Sequence, residues 1–289
     1  MSTSSRPARS RRRALIASVA VIAGTAAAVA VGFSLPADAT PSSTSGHHPS
    51  GAKPTIVLVH GAWSGTASWN GEVTALQHDG YTVRAITNPL RDLTTDSEFV
   101  ADFIRTIKGP VVLVGHSYGG SVITNAAAEV SNVTGLVYVD GYAPAVGETS
   151  MSLNGAGSVL NRSASELYEQ TPYPGAPAGG VETSLKLPVF IRSFGNDLPA
   201  SQDKLLWATQ GAATNVAFAT PSKYAAWKTI PSWYFISTGD KVVTPSSELA
   251  MAHRAHSHIT VFAGGSHLTL ISHPSAVTAV ILKAAHAHR

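Results

Sequence analysis

The chain has no cysteine among its 289 residues. That excludes a disulfide framework, a thiolate metal site and a cysteine nucleophile. Charged residues are scarce at 13%, and aromatics make up only 7%. Apolar runs long enough to approach a bilayer span are confined to Ala14–Val31, so a multi-span membrane protein is excluded. A one-sided charge is also lacking once the leader is set apart. Residues 1–39 hold Arg6, Arg9, Arg11, Arg12 and Arg13 against the single acid Asp38, and the remainder carries 15 basic and 16 acidic side chains, a net of −1. The basic balance therefore belongs to the leader, and nucleic-acid binding loses its support. What remains is long enough, and at 44% hydrophobic apolar enough, to bury a substantial core. Any chemistry must come from Ser, His, Asp, Glu, Lys or Tyr.

The first 39 residues have the three parts of an export signal peptide. Arg6 to Arg13 form the positive segment, Ala14 to Val31 the apolar one, and Ala37-Asp38-Ala39 the small-x-small cleavage pattern. Ser10-Arg11-Arg12-Arg13-Ala14-Leu15 resembles a twin-arginine signal with Ala14 in place of phenylalanine, so both the twin-arginine and the general route stay open. The cleavage pattern and the alanine-rich apolar segment favour removal over retention as an anchor. The expected product is a secreted protein without stable membrane insertion. Residues 40–53, rich in Pro, Ser and Gly, read as a flexible linker, and His47-His48 as a solvated pair within it.

From Pro54 short β-branched runs alternate with helical stretches. Strands are expected at Thr55–His60, Thr82–Thr87, Val111–His116, Gly135–Asp140, Trp233–Ser237 and Ile259–Ala263, and helices near 67–79, 95–108, 118–130, 245–256 and 274–287. Several strands are apolar at consecutive positions, as strands covered on both faces are. Such alternation predicts a mostly parallel α/β sheet with helices on both faces. The stretch 144–231 breaks the rhythm, beginning Gly/Ser/Pro-rich and turning helical around 199–228. An insertion there projects beyond the carboxyl ends of the strands, where open α/β sheets bind ligands. It reads as a helical cap over a site in the domain 54–289.

The sharpest motif is Gly115-His116-Ser117-Tyr118-Gly119, directly after an apolar strand and directly before a helix. A serine on so tight a turn is held in a strained conformation, and its neighbours approach too closely for side chains, so glycines flank it. The following helix points N–H groups at the reacting centre, where negative charge develops.

Together with His60-Gly61-Ala62-Trp63, Ser237-Thr238-Gly239-Asp240-Lys241 and Gly264-Gly265-Ser266-His267, this segment resembles the α/β-hydrolase superfamily. It is most similar to the branch of plant methyl esterases, hydroxynitrile lyases and bacterial esterase-like members. The resemblance covers about residues 54–285 and is weakest through the cap. It implies a Ser117–His267–Asp240 triad in the chain order of this fold, with oxyanion donors at the backbone N–H groups of Ala62 and Tyr118. No cofactor or metal is implied, and the partner expected is a small-molecule ester.

Asp140 is a rival for the acid, since it too ends a strand; the Thr-Gly-Asp-Lys context favours Asp240. His60 and His116 match positions that brace loops. His253, His256 and His258 straddle a helix–strand junction without a nearby acid and do not read as a metal site. Trp63 and Trp69 are candidates for the pocket wall or for helix packing. Ester hydrolysis is the expected reaction, with amide or lactone cleavage as variants. A hydroxynitrile lyase is disfavoured, because Leu268 stands where the resemblance implies a lysine and Gly61 where it implies a threonine. A ligand-binding homologue without turnover is disfavoured by the presence of all three triad residues.

Overall fold

The computed structural model describes residues 53–287. The expected signal peptide, nearly all of the linker with His47 and His48, and His288 lie outside them. Along the chain come β1 (Thr55–Val59), α1 (Asn70–His78), β2 (Val83–Ile86), α2 (Leu93–Arg105), β3 (Val111–His116), α3 (Tyr118–Ala126) and β4 (Val133–Val139). The insertion then carries α4 (Ala164–Leu167), β5 (Tyr168–Thr171), β6 (Glu182–Leu185), α5 (Leu187–Val189) running into a π turn at Phe190–Phe194, α6 (Ala200–Ala208), β7 (Ala213–Thr214) and α7 (Asn215–Ala219). The chain closes with β8 (Ser232–Ser237), α8 (Pro245–Arg254), β9 (His258–Phe262), α9 (Thr269–Ser272) and α10 (Pro274–His286).

β1–β4, β8 and β9 form one sheet in the order β2-β1-β3-β4-β8-β9, every pair parallel. β3 is buried along its whole length, which is why it reads as an uninterrupted apolar run rather than an alternating one. α2 and α3 pack against each other, as do α1 and α10, and α10 lies along β4 and β8. The ends of these helices follow local rules. The Asp92 carboxylate accepts the N–H groups of Thr94 and Thr95 at the start of α2, and Pro245 and Pro274 open α8 and α10 where an N–H has no helical partner anyway. Strand order reverses between β1 and β3, so the crevice at their carboxyl ends is where this topology places a ligand. Gly61–Trp63 and Ser117 stand there.

The cap differs from the helical one expected. A three-stranded antiparallel sheet, β5-β6-β7, crosses it, and the stretch 199–228 breaks into two helices and a single 3-10 turn at Ala226–Lys228. Thr183 and Leu185 of β6 are buried while Glu182 and Ser184 are half-buried, a two-residue alternation too short to stand out in the sequence. Pro221 denies the helical register an N–H beyond α7. Among the described residues no helix is long and apolar enough to cross a membrane.

Candidate active site

Ser117 occupies the turn between β3 and α3 with φ +53°, a left-handed conformation that costs a non-glycine residue energy. Three backbone hydrogen bonds hold it. Its N–H donates to Val139 O at 3.2 Å, and its own carbonyl accepts from Gly120 and Tyr142. Crowding explains the flanking glycines: a Cβ on Gly115 would lie 2.5 Å from Gly119 O, and one on Gly119 the same distance from Val59 O.

His267 Nε2 is 2.8 Å from Ser117 Oγ, and its Nδ1 is 2.6 Å from Asp240 Oδ2. The other Asp240 oxygen accepts the N–H groups of Val242 and Val243 at 2.6 and 3.2 Å. With Nδ1–H given to the carboxylate, the free Nε2 lone pair faces the serine hydroxyl. All three side chains are buried. Burial lowers the His267 imidazole to about 3, which leaves it neutral at rest with its Nε2 lone pair free. The Asp240 carboxylate opposes that shift as an imidazolium forms. Burial likewise pushes the Asp240 carboxyl up, against the two backbone donors that favour its ionised form.

Ala62 and Tyr118 are buried, and among the described residues neither backbone N–H meets a protein acceptor. Buried N–H groups are rarely left so, and a pair beside a serine suits a developing oxyanion. Gly61 is what brings the Ala62 loop so close, since a Cβ there would sit 2.6 Å from Ser117 Cβ.

The two flanking histidines brace loops. His60 Nδ1 donates to Gly61 O at 2.8 Å while its Nε2 accepts the Asn88 N–H at 3.0 Å. His116 Nε2 donates to the carbonyl of His267 at 2.8 Å, tying the nucleophile turn to the histidine loop. His253, His256 and His258 are exposed, and His258 stacks on Trp233. Trp69 is wholly buried, edge-on to His116, and is a packing residue. Trp63 instead enters the cap. Its indole stacks between Tyr168 and Phe218 and donates to Thr183 O at 3.0 Å.

Two cavities flank Trp63. One of about 120 Å³ is walled by Phe190, Phe194, Leu206 and Leu268, and the Phe194 ring lies 5.1 Å from that of His267. The other, of about 180 Å³, is walled by Tyr168, Phe218, Leu160 and Arg162. Elsewhere in the cap, Leu205 faces solvent at 64% exposure, and Trp227 turns away to donate to Pro144 O.

Asp140 does not reach His267. Its Oδ1 accepts the N–H of Ser237 at 2.7 Å, and its Oδ2 lies 2.9 Å from Ser237 Oγ. Sequence reasoning missed what surrounds it. Asp140, Asp240 and Glu248 are buried, each with a carboxyl oxygen within 4.8 Å of the others, and Glu248 is a helix residue that periodicity alone would give to solvent or core alike.

A parallel α/β sheet with a serine elbow, a histidine and an aspartate converging at its switch point defines a class of hydrolase-like proteins. The chain belongs to the alpha/beta hydrolase family, whose model matches residues 56–280. Over 111 residues it is 34% identical to a carbendazim hydrolyzing esterase of Nocardioides, a match spanning 34% of this chain and 46% of that protein. It is 27% identical to the alpha/beta hydrolase nvfD of Aspergillus novofumigatus over 81% of this chain and 97% of that one. The same fold is seen in polyneuridine aldehyde esterase (TM-score 0.66, 18% identity, covering 80% of this chain and 99% of that one) and in a pyrethroid hydrolase of Sphingobium faniae (TM-score 0.64, 24% identity, 81% and 98%).

Proposed function

We propose that the protein is a serine hydrolase of carboxylic esters, cofactor-independent and exported by its leader. The hydrogen-bonded line from Ser117 Oγ through His267 to Asp240 Oδ2, at 2.8 and 2.6 Å, carries this reading. Ser117 Oγ attacks the acyl carbon as His267 Nε2 takes its proton, and the N–H groups of Ala62 and Tyr118 receive the oxyanion. Losing one such donor typically costs about 3 kcal/mol of transition-state stabilisation. Collapse of the intermediate expels the alkoxide, which His267 protonates. Water then gives its proton to His267, attacks the acyl-enzyme and releases the acid, and the proton returns to Ser117.

The aromatic walls beside His267 support small or medium apolar esters, and the carbendazim and pyrethroid activities named for two relatives are in keeping with aromatic substrates. A lyase reading has less support. Leu268 is buried without charge, a threonine at 61 has no room beside Ser117, and Lys241 Nζ donates to Arg192 O in the cap.

The test is labelling by a fluorophosphonate followed by intact mass, run beside a panel of p-nitrophenyl esters and mandelonitrile. One adduct that disappears in Ser117→Ala, together with Ser117-dependent ester turnover, is expected. Ser117-dependent mandelonitrile cleavage without ester turnover would overturn the assignment.

A further inference from the structure

Hydrogen atoms around Ser237 do not balance if every acid nearby is ionised. Three oxygen–oxygen contacts run in a row: Asp140 Oδ2 to Ser237 Oγ at 2.9 Å, Ser237 Oγ to Thr269 Oγ1 at 2.8 Å, and Thr269 Oγ1 to Ser266 O at 2.6 Å. Each contact is short enough to need a hydrogen between its atoms. Ser237 and Thr269 supply one each. The last contact ends on a carbonyl, so Thr269 must donate there, and Ser237 must then donate to Thr269. One O–H cannot point along two contacts at once, because the donor angle falls far from linear for both. The first contact is left without a hydrogen unless Asp140 brings it.

We propose that Asp140 is a neutral carboxylic acid that donates to Ser237 Oγ and, through Ser237 and Thr269, positions the loop carrying His267. The relay starts at the turn beneath the nucleophile and ends on the carbonyl of Ser266, the residue before His267. The Ser237 N–H on the other Asp140 oxygen suits a carbonyl acceptor as well as a carboxylate. The surroundings favour the neutral form. Asp140 is wholly buried, the groups facing it are Asp240, Glu248, Asp197 and Tyr234, and among the described ion pairs no lysine or arginine meets it. Two carboxylates this close in a dry interior do not both ionise readily, and Asp240 is the one that faces His267 and two backbone donors. Burial first, and the Asp240 charge second, push Asp140 well above the usual carboxylate range.

This inference rests on the hydrolase reading for its kinetic arm and is independent of it for its spectroscopic arm. Asparagine matches the neutral acid in shape: its carbonyl accepts from Ser237 N–H and its amide donates to Ser237 Oγ. In infrared difference spectra of wild type minus Asp140→Asn at neutral pH, a protonated-carboxyl C=O band is expected. Its absence would overturn the proposal whatever the enzyme hydrolyses. In kinetics, Asp140→Ala and Ser237→Ala are expected to lose tenfold or more in kcat on p-nitrophenyl esters, on the order of a misplaced catalytic group. Asp140→Asn is expected to stay within about threefold of wild type at neutral pH. The wild type should also fall at alkaline pH as Asp140 ionises, and Asp140→Asn should lack that fall. A purely structural role would not move the alkaline limb. Loss in Asp140→Asn as deep as in Ser117→Ala would overturn the assignment of the proton.

Discussion

Asp240 and Asp140 are both buried aspartates at strand ends, yet their hydrogen-bond partners separate them. Asp240 takes three N–H groups, from His267, Val242 and Val243, and each favours the anion. Asp140 takes one and sits against a hydroxyl already committed elsewhere. Replacing Asp240 by asparagine keeps its volume but offers His267 Nδ1 a group that can turn its amide inward, which favours the wrong imidazole tautomer. Asp240→Asn is expected to fold, by circular dichroism and melting temperature, and to lose kcat by a factor on the order of 10⁴. A loss under about tenfold in steady-state kinetics would reject Asp240 as the orienting acid.

Among the elements, α1 carries a burden with no catalytic use. Glu72, in its first turn, is wholly buried, and among the described residues no other residue hydrogen-bonds to its carboxyl oxygens. Burial raises it to about 8. Such a group is neutral in the fold and ionised in the unfolded chain above its ordinary range. It therefore subtracts stability progressively as pH rises from about 4.5 towards 8, the window set by that shift. Glu72→Gln removes the proton exchange, so its melting temperature should exceed that of wild type at pH 7 by the equivalent of about 3 kcal/mol at most, and the gain should vanish near pH 4. A gain that does not change with pH would mean that packing, not ionisation, sets it.

The elements also show what the sequence makes legible. β3 runs from Val111 to His116 as the apolar run predicts, because a strand covered on both faces has no polar side to interrupt it. The Ser117, Asp240 and His267 segments announce themselves through glycines and turn chemistry that only close backbone approach requires. The Asp140–Ser237–Thr269 relay has no such mark. Ser237 and Thr269 are 32 residues apart, and a hydroxyl at a strand end or in a short helix looks the same whether it faces water or a buried acid. The cap sheet is hidden for a related reason: β6 and β7 pair through backbone groups, with two to four residues each and little side-chain signature.

At the scale of the whole molecule, one side chain joins the loop bearing the proposed oxyanion donor to the cap. Trp63 follows Ala62, holds φ +53°, and sends its indole into the cap between Tyr168 and Phe218. A tryptophan in that conformation is strained, and the N–H bond to Thr183 O with the two ring stacks offsets the strain. It also divides the space beneath the cap, standing in the wall of the 120 Å³ cavity beside Phe194 and of the 180 Å³ cavity beside Phe218. Each is below the roughly 300 Å³ at which small-molecule pockets begin, so a ligand group larger than either cavity needs that wall moved. Trp63→Ala removes the partition but costs about 3–5 kcal/mol of core packing, enough to endanger the fold. Trp63→Leu keeps an apolar filler and opens the wall. It should raise kcat/KM for p-nitrophenyl benzoate relative to the acetate by roughly tenfold or more, the scale at which a hydrophobic pocket discriminates by size. Ser117→Ala in the same background should abolish both activities. An unchanged ratio in a variant that melts within a few degrees of wild type would show that Trp63 fastens the cap without measuring the substrate.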